Sequence, residues 1–300
     1  MDMTQNKCCR HGANLRRRRR RRRKILRSII FSCSIIAVAV FVTVGSSMIR
    51  SGDGRTNKYD VEAGNNTYDN AVIENSKISE KNKIQNNQSM LDDIMNSTQY
   101  PKQLKDLALK NEEALEFVYD YPAEHVKEHT IDLTEEASMD SVPLFVQWDK
   151  RWGYEKYSGN FFAASGCGPT TLSMVVVYLT HNREASPIAV AKYSKEAGYS
   201  VDGSGSSWTL ISEGCMHYGV KAKTVALDES RMKAELDEGH PIVVNVGPGD
   251  FTDTGHFMVI TGYDDEGFSI NDPNSIEKSG KRWLFKNISS QIRAVWSMYV

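Results

Sequence analysis

The stretch Ser165-Gly166-Cys167-Gly168-Pro169-Thr170-Thr171 leads directly into the apolar run 172–179, and it indicates a turn that opens a helix. Pro169 suits the first helical position, where its missing N–H leaves no hydrogen bond unmade. The free N–H groups and the positive end of the helix dipole would then face Cys167, which favours its thiolate form. Gly166 would leave room for a substrate backbone. The stretch therefore predicts a nucleophilic cysteine.

A cysteine nucleophile needs a base within hydrogen-bond distance. The candidate histidines after the N-terminal region are His125, His129, His181, His217, His240 and His256. His256 is the best placed, because it precedes the buried strand predicted over residues 257–263. Gly255 beside it leaves access for a substrate. We therefore predict that His256 is the base.

The base in turn needs a group that orients it. The acidic turn 264–267 would return the chain as a second strand, 268–272, which ends at Asp272. The two strands of a hairpin lie side by side, so Asp272 can hold the imidazole in the useful tautomer. Asn271 is the alternative orienting residue, and Asn245 is a weaker one.

Acyl transfer also requires hydrogen-bond donors for the developing oxyanion. The backbone N–H of Cys167 would be one donor. Gln147 lies 20 residues upstream, after the short apolar run 142–146, and could supply a side-chain amide. Trp148 and Trp152 follow, and they could line a substrate groove or belong to the core.

The N-terminal part of the chain predicts a membrane anchor. Residues 1–27 carry a net charge of +11 in a chain of net charge −1, which leaves −12 for the remainder. The uncharged, apolar segment 28–49 is just long enough to span a bilayer. Flanking cations stay cytoplasmic, so the chain after this segment would lie outside the cell. A cleaved secretory signal is the rival interpretation, and nucleic-acid binding by the arginine run is disfavoured by the apolar segment that follows it.

Residues 50–91 are polar and rich in asparagine, and they lack sustained apolar periodicity. Such a segment buries too little surface to offset its ordering entropy, so we expect a flexible stalk. Residues 92–300 are enough for one domain with a sizeable core. The predicted organisation is thus a basic cytoplasmic tip at 1–27, a signal anchor at 28–49, a stalk at 50–91 and a catalytic domain at 92–300.

Periodicity within the catalytic domain places most helices before most strands. Helices are predicted over residues 101–120, 168–180, 187–197, 208–217 and 229–238. Strands are predicted over residues 142–146, 220–225, 241–246, 257–263, 268–272 and 295–300. Segregated helices and strands of this kind are typical of the α+β class, here with a mostly antiparallel sheet.

The order Cys, His, Asp, with a Gln about 20 residues before the Cys, resembles the papain-like cysteine peptidases. Residues 142–149, 165–169 and 255–263 resemble one branch in particular, the peptidase C39-like branch, which is related to the peptidases that cut bacteriocin leaders after a double glycine. The resemblance covers residues 100–300, and residues 100–122 look like the leading helix of membrane-anchored bacterial members. It implies a papain-like fold in which the nucleophile helix packs on an antiparallel sheet. It assigns Cys167 as nucleophile, His256 as base, Asp272 as orienter and Gln147 as oxyanion donor.

Three functions follow from these residues. The first is a membrane-anchored extracellular cysteine peptidase acting on a peptide or protein, with Gly166, Trp148 and Gly255 at the substrate. The second is an acyl transferase or amidase of the same fold, and the third is a catalytically silent surface binding module. No phosphate-binding loop, His-Glu-x-x-His or Cys-x-x-Cys motif occurs, so we expect no metal, no cofactor and no nucleic-acid partner.

Overall fold

A computed structural model describes residues 67–300, and their side chains from residue 80 onward. The basic tip, the predicted span 28–49 and the first part of the stalk lie outside the described residues. Within the described range, no helix is both long and apolar enough to cross a membrane.

The described chain is a mixture of helices and one main antiparallel sheet, as the α+β prediction requires. The α-helices are α1 Thr67–Asn96, α2 Lys102–Lys110, α3 Leu115–Tyr119, α4 Tyr121–Glu124, α5 Thr134–Ser138, α6 Phe162–Ser165, α7 Cys167–Thr180, α8 Pro187–Glu196, α9 Thr209–Ser212, α10 Glu229–Asp237, α11 Ile276–Ser279 and α12 Phe285–Ile288. Short 3₁₀ turns cover Glu112–Ala114, Gly214–Tyr218 and Ser289–Gln291. The strands are β1 Lys156–Tyr157, β2 Asn160–Phe161, β3 Ser200–Val201, β4 Gly205–Ser206, β5 Lys221–Thr224, β6 Ile242–Val246, β7 His256–Asp264, β8 Gly267–Asn271, β9 Arg282–Trp283 and β10 Ile292–Tyr299.

Helix α1 takes in residues 67–91 of the segment for which we expected a flexible stalk. This part of the sequence contains no proline and no glycine, so nothing in it interrupts helical hydrogen bonding. The end of the helix is also held by packing, since Ile94 is fully buried and Met90 and Leu91 contact the same apolar cluster. The absence of helix breakers and the packed end therefore accompany a helix in this asparagine-rich segment.

The helix predicted over residues 101–120 is interrupted at Asn111. This residue has extended backbone angles, and its side-chain oxygen accepts a hydrogen bond from the N–H of Glu113. Asn111 therefore ends α2 and starts a 3₁₀ turn that leads into α3. Helical structure then continues past the expected stop, because Pro122 lies within the first turn of α4, where a proline is tolerated.

The strand predicted over residues 142–146 does not form. The segment has no regular secondary structure and joins no sheet. Its carbonyl groups bond to a side chain instead: Asn271 Nδ2 donates to the oxygens of Val142 and Pro143 at 3.1 and 3.0 Å. The segment therefore lies beside the end of β8 without extending the ladder.

The main sheet has the strand order β5-β10-β6-β7-β8-β9, and every neighbouring pair is antiparallel. His256 begins β7 opposite Val246, the last residue of β6. Asn271 ends β8 opposite Val259. The first residue of β7 and the residue that follows β8 are thus brought to one end of the sheet.

Apolar side chains cover both faces of this sheet. Alternate residues of β7 divide between the faces: Phe257 and Val259 join the core formed with α7 and α8, whereas Met258 and Ile260 join the core formed with α10. Residues 168–177 of α7 are all buried. Helix α7 is therefore the central helix of the domain, and its first turn faces the start of β7.

Candidate active site

Cys167 is the first residue of α7 and is half buried. Its backbone N–H, like those of the next residues, has no acceptor within the helix. Pro169 is the third helical residue, two positions later than predicted, and its missing N–H still falls in the turn that makes no helical bond. Gly168 is required by close packing, because a Cβ there would lie 2.6 Å from Oγ of Ser206.

His256 and Asp272 form a buried pair. Nε2 of His256 lies 2.7 Å from Oδ1 of Asp272. The side chains are only 7% and 1% exposed, so bulk water hardly screens their interaction. The hairpin of β7 and β8 brings them together as predicted. The alternative orienters lie elsewhere: Asn271 bonds to residues 142 and 143, and Asn245 donates to the backbone oxygen of His256 rather than to its ring.

The surroundings of Cys167 and His256 favour the charged form of both side chains. Burial alone would lower the pKa of His256, but the charge and hydrogen bond of Asp272, together with Cys167, raise it to about 10. Burial alone would raise the pKa of the Cys167 thiol, but the hydrogen bond and charge of His256 lower it, helped by the N–H groups of Phe257 and Gly168. Because Nε2 is taken by Asp272, Nδ1 is the ring atom left for the thiol. A thiolate–imidazolium pair is the state that this arrangement stabilises.

Gln147 lies at the same site, directly after the segment 142–146. Its side chain is buried, and Nε2 donates to the oxygen of Ala163 at 2.7 Å and to Oδ1 of Asn274 at 3.3 Å. Its backbone N–H donates to the oxygen of Pro273 at 2.7 Å. Oε1 is buried and makes no hydrogen bond. The long bond to Asn274 is the one that an incoming oxyanion could replace most easily.

Asn274 is a functional-site residue that the sequence patterns did not reveal. Its N–H donates to Oδ1 of Asp272 at 2.8 Å, and its own side-chain oxygen accepts from Gln147. It thus connects two predicted catalytic residues that are far apart in sequence. The signal in the sequence is only the turn-forming run Asp272-Pro273-Asn274, which predicts a bend but not its partners.

Two cavities meet at Cys167, and Asn160, Ala164 and Gly255 line both. The first, of about 510 Å³, is lined further by Gln147, His256 and Asn274, and we name it the His256 cavity. The second, of about 650 Å³, is lined further by Trp208, Asn245 and Arg293, and we name it the Arg293 cavity. Together they form a cleft that runs past the thiol on both sides.

Gly255, Gly166 and Trp148 are predicted to lie at the substrate, but only Gly255 lines the cleft. Gly255 lines both cavities. Gly166 does not line them, because the space beside it is filled by the ring of Phe162, 2.6 Å from where a Cβ would lie. Trp148 packs instead on the apolar cluster formed by α2 and α3. The structure thus brings one of the three residues to the cleft.

The other candidate histidines of the described chain make contacts away from the cleft. His125 stacks on Tyr121, His181 bonds to the oxygen of Ala137, and His240 pairs with Glu235. Within residues 67–300, no group of three or more potential ligands is arranged to hold a metal ion.

The chain is similar to one protein family and to solved structures. A family model described as "Peptidase_C39 like family" matches residues 139–300. The peptidase domain of Streptococcus ComA, a bifunctional ABC transporter involved in a quorum-sensing pathway, is 19% identical, with 45% of this chain and 90% of that chain covered and a TM-score of 0.37. A C39-like peptidase from Bacillus anthracis is 17% identical, with 53% of this chain and 95% of that chain covered and a TM-score of 0.33. No curated protein matches the chain. The assignment rests on the family model, which matches more than half of the 300 residues, and the chain therefore belongs to the Peptidase_C39 like family.

Proposed function

We propose that this protein is a cysteine peptidase that hydrolyses peptide bonds through a thioester on Cys167. The observation that carries the proposal is the buried chain of contacts from Cys167 through His256 to Asp272, with 2.7 Å between Nε2 and Oδ1. The lowered pKa of the thiol and the raised pKa of the imidazole supply a nucleophile and an acid at the same pH.

Acylation begins when the Cys167 thiolate attacks the carbonyl carbon of the scissile bond. The carbonyl oxygen becomes an oxyanion, which the backbone N–H of Cys167 and Nε2 of Gln147 can stabilise. The His256 imidazolium then gives its Nδ1 proton to the leaving nitrogen, and the C–N bond breaks. The products of this half-reaction are an amine, a thioester and a neutral imidazole.

Deacylation uses the same groups in the opposite proton order. Neutral His256 accepts a proton from a water molecule as that water attacks the thioester carbon. The second oxyanion occupies the same donors and collapses with loss of the Cys167 sulfur. A carboxylic acid leaves, and the thiolate–imidazolium pair is restored.

The position of His256 orients the substrate in the cleft. Because the leaving nitrogen must receive its proton from His256, the residues after the scissile bond lie in the His256 cavity. The residues before it lie in the Arg293 cavity. Arg293 is the only charged side chain among the described residues that line this second cavity.

Two features place Arg293 toward that cavity. The ladder between β10 and β6 shifts register between Ile292 and Ala294, and such bulges re-aim a side chain. Its guanidinium covers Gly247, with Nε 2.7 Å from where a Cβ would lie. No carboxylate of the described residues pairs with it. These contacts support a preference for an acidic residue before the scissile bond.

We further propose that the catalytic domain is held outside the cell by the segment 28–49. The support is the sequence alone: 22 uncharged residues follow a tip of charge +11. Cells that express the full chain should keep it in the membrane fraction, and external protease should remove the domain. Release of the chain into the medium would instead indicate a cleaved signal.

The test of the activity is hydrolysis of a peptide library by the purified full chain and by Cys167→Ala. Cys215→Ala is the control, because Cys215 is fully buried in the core. Complete loss in the first variant and activity in the second are expected. Activity retained in Cys167→Ala would refute the proposal. Formation of an amide product with an added amine would indicate acyl transfer, and no turnover by the wild type would favour a binding module.

A further inference from the structure

A segment outside the matched family range contacts the loop that carries Asp272. We name residues 102–113 the brace segment and residues 272–277 the acid loop. The brace segment comprises α2 and the start of the following 3₁₀ turn, whereas the family model begins at residue 139. Contacts between these two segments join residues that are more than 160 positions apart in the sequence.

Asn111 makes the first contact. Its Nδ2 donates to the backbone oxygen of Asn274 at 2.9 Å and to Oδ1 of Asn274 at 3.1 Å. Its Oδ1 accepts from the N–H of Glu113 at 3.0 Å. The side chain that ends α2 therefore also fixes the orientation of Asn274.

Glu113 makes the second contact. Its Oε2 accepts from the N–H groups of Ile276 and Glu277 at 2.7 and 3.1 Å. Its Oε1 accepts from the hydroxyl of Ser275. One carboxylate thus satisfies three donors at the start of α11, where the helix itself provides no acceptors. Bonds to a charged acceptor are stronger than neutral ones, so this contact holds the acid loop firmly.

The acid loop also contacts the proposed catalytic residues, through Asn274. Asn274 donates to Asp272 Oδ1, the same atom that accepts from His256. Asn274 also accepts from Gln147 Nε2. The other oxygen of Asp272 is buried and makes no hydrogen bond, so few contacts besides those of the loop fix the carboxylate.

We infer that Asn111 and Glu113 are positioning residues, which hold the acid loop so that Asp272 and Gln147 stay aligned with His256 and Cys167. The inference rests on the proposed function of the Cys167 site. It makes the brace segment a part of the catalytic unit, although it lies outside the family range.

The test uses the full chain with Asn111→Asp and Glu113→Gln. The first substitution keeps the oxygen that caps the 3₁₀ turn but faces two acceptors of Asn274 with a carboxylate. The second removes the charge that binds the start of α11. Asn182→Asp and Glu112→Gln are the matched controls, since Asn182 makes the same kind of cap and Glu112 bonds to Asn87 instead.

We expect kcat/KM to fall about 10-fold in each test variant, mainly through kcat, since a misplacement of about 1 Å can cost about 10²-fold. We also expect the pH midpoint for alkylation of Cys167 by iodoacetamide to rise by about one unit, because a less well held Asp272 supports the imidazolium less. Mass spectrometry of the peptide that contains Cys167 measures the alkylation. Both controls should behave as the wild type.

The alkylation profile separates this inference from the proposed function, because it needs no substrate. A wild type that is alkylated at low pH but cleaves no peptide would refute the peptidase activity. The positioning role of the brace segment could still be tested by alkylation. Wild-type alkylation profiles in both test variants would overturn the inference, as would equal shifts in the controls. Unfolding midpoints of all variants are measured in parallel to detect a loss of folding. Glu113→Gln tests the brace segment without altering the turn at Asn111.

Discussion

His256 and Asp272 meet through Nε2 and Oδ1 at 2.7 Å, and neither side chain has more than 7% of its surface exposed. At such burial a charge pair is screened little by salt. The imidazolium is thus stabilised by a carboxylate whose position is set by the loop that follows β8. The protonation state of His256 is consequently coupled to the conformation of that loop.

Asp272→Asn should weaken the imidazolium without changing the shape of the site. Loss of a neighbouring opposite charge lowers a histidine pKa by about 1–3 units, so the alkaline limb of the rate profile should move to lower pH by that amount. We expect kcat/KM to fall about 10²-fold, less than the roughly 10⁴-fold loss in a Ser–His–Asp triad, because here the histidine starts protonated. An unchanged alkaline limb would contradict the assignment of Asp272.

The wild-type enzyme should show a bell-shaped dependence of kcat/KM on pH. Below the lowered pKa of Cys167 the thiolate is protonated and the nucleophile is lost. Above the raised pKa of His256, about 10, the imidazolium loses the proton needed by the leaving group. The acid limb should therefore fall well below about 8.5, the ordinary thiol value. An acid limb near that ordinary value would mean that the ion pair does not form.

Gln147→Ala should lower kcat and leave the ion pair intact. Removing one oxyanion donor costs about 10²–10³-fold in kcat. The substitution does not touch His256, so the pH profile of Cys167 alkylation should match the wild type. Single-turnover kinetics measure the loss, and an alkylation profile that changed as strongly as kcat would mean that Gln147 supports the fold of the site instead.

Arg293→Glu should change substrate preference and not the chemical step. Substrates with an acidic residue before the scissile bond should lose most of their kcat/KM, and substrates with a basic residue should gain. One such charge reversal is worth about 1–3 kcal/mol, or about 5–150-fold in relative kcat/KM. The exposed Lys156 on β1 provides a control reversal. Equal effects on acidic and basic substrates would show that Arg293 does not contact them.

Glu235→Gln should lower stability in a pH-dependent way. A hydrogen bond from Lys223, with others from His240 and Ser297, lowers the pKa of Glu235 to about 2. This contribution is complete above the unfolded pKa of about 4.3 and is lost as pH falls through the folded value. Urea unfolding should give a loss of about 1–2 kcal/mol at pH 7, which shrinks between pH 4.5 and 2. Glu229→Gln, whose partner Lys233 lies on the helix surface, should change stability little at any pH.

The sequence alone predicts the positions of those site residues that lie close to each other, or to the element that carries them, along the chain. Cys167 stands at a glycine-flanked helix start, and a short hairpin joins His256 to Asp272, so chain geometry alone brings each group to its place. The α+β class followed in the same way from the period of the apolar residues. The helix α7 and the strands β7 and β8 form where the sequence predicts them.

The remaining features depend on contacts that no local pattern encodes. The end of α2 at Asn111 accompanies bonds to Asn274, 163 residues away. The segment 142–146 has a strand-like sequence, but the Asn271 amide bonds to the carbonyls of Val142 and Pro143. The sequence predicts space for a substrate at Gly166, whereas Phe162 fills that space. In each case the decisive partner is chosen by tertiary packing.

The brace segment also affects how relatives of this protein can be compared. An alignment restricted to residues 139–300 includes Gln147, Cys167, His256 and Asp272 but omits Asn111 and Glu113, which bind Asn274 and Ser275. Relatives that keep the triad but lack an equivalent of Asn111 and Glu113 would need another support for the same loop. Differences in turnover among such relatives could then originate upstream of the shared region, where a comparison of catalytic residues alone would find no cause.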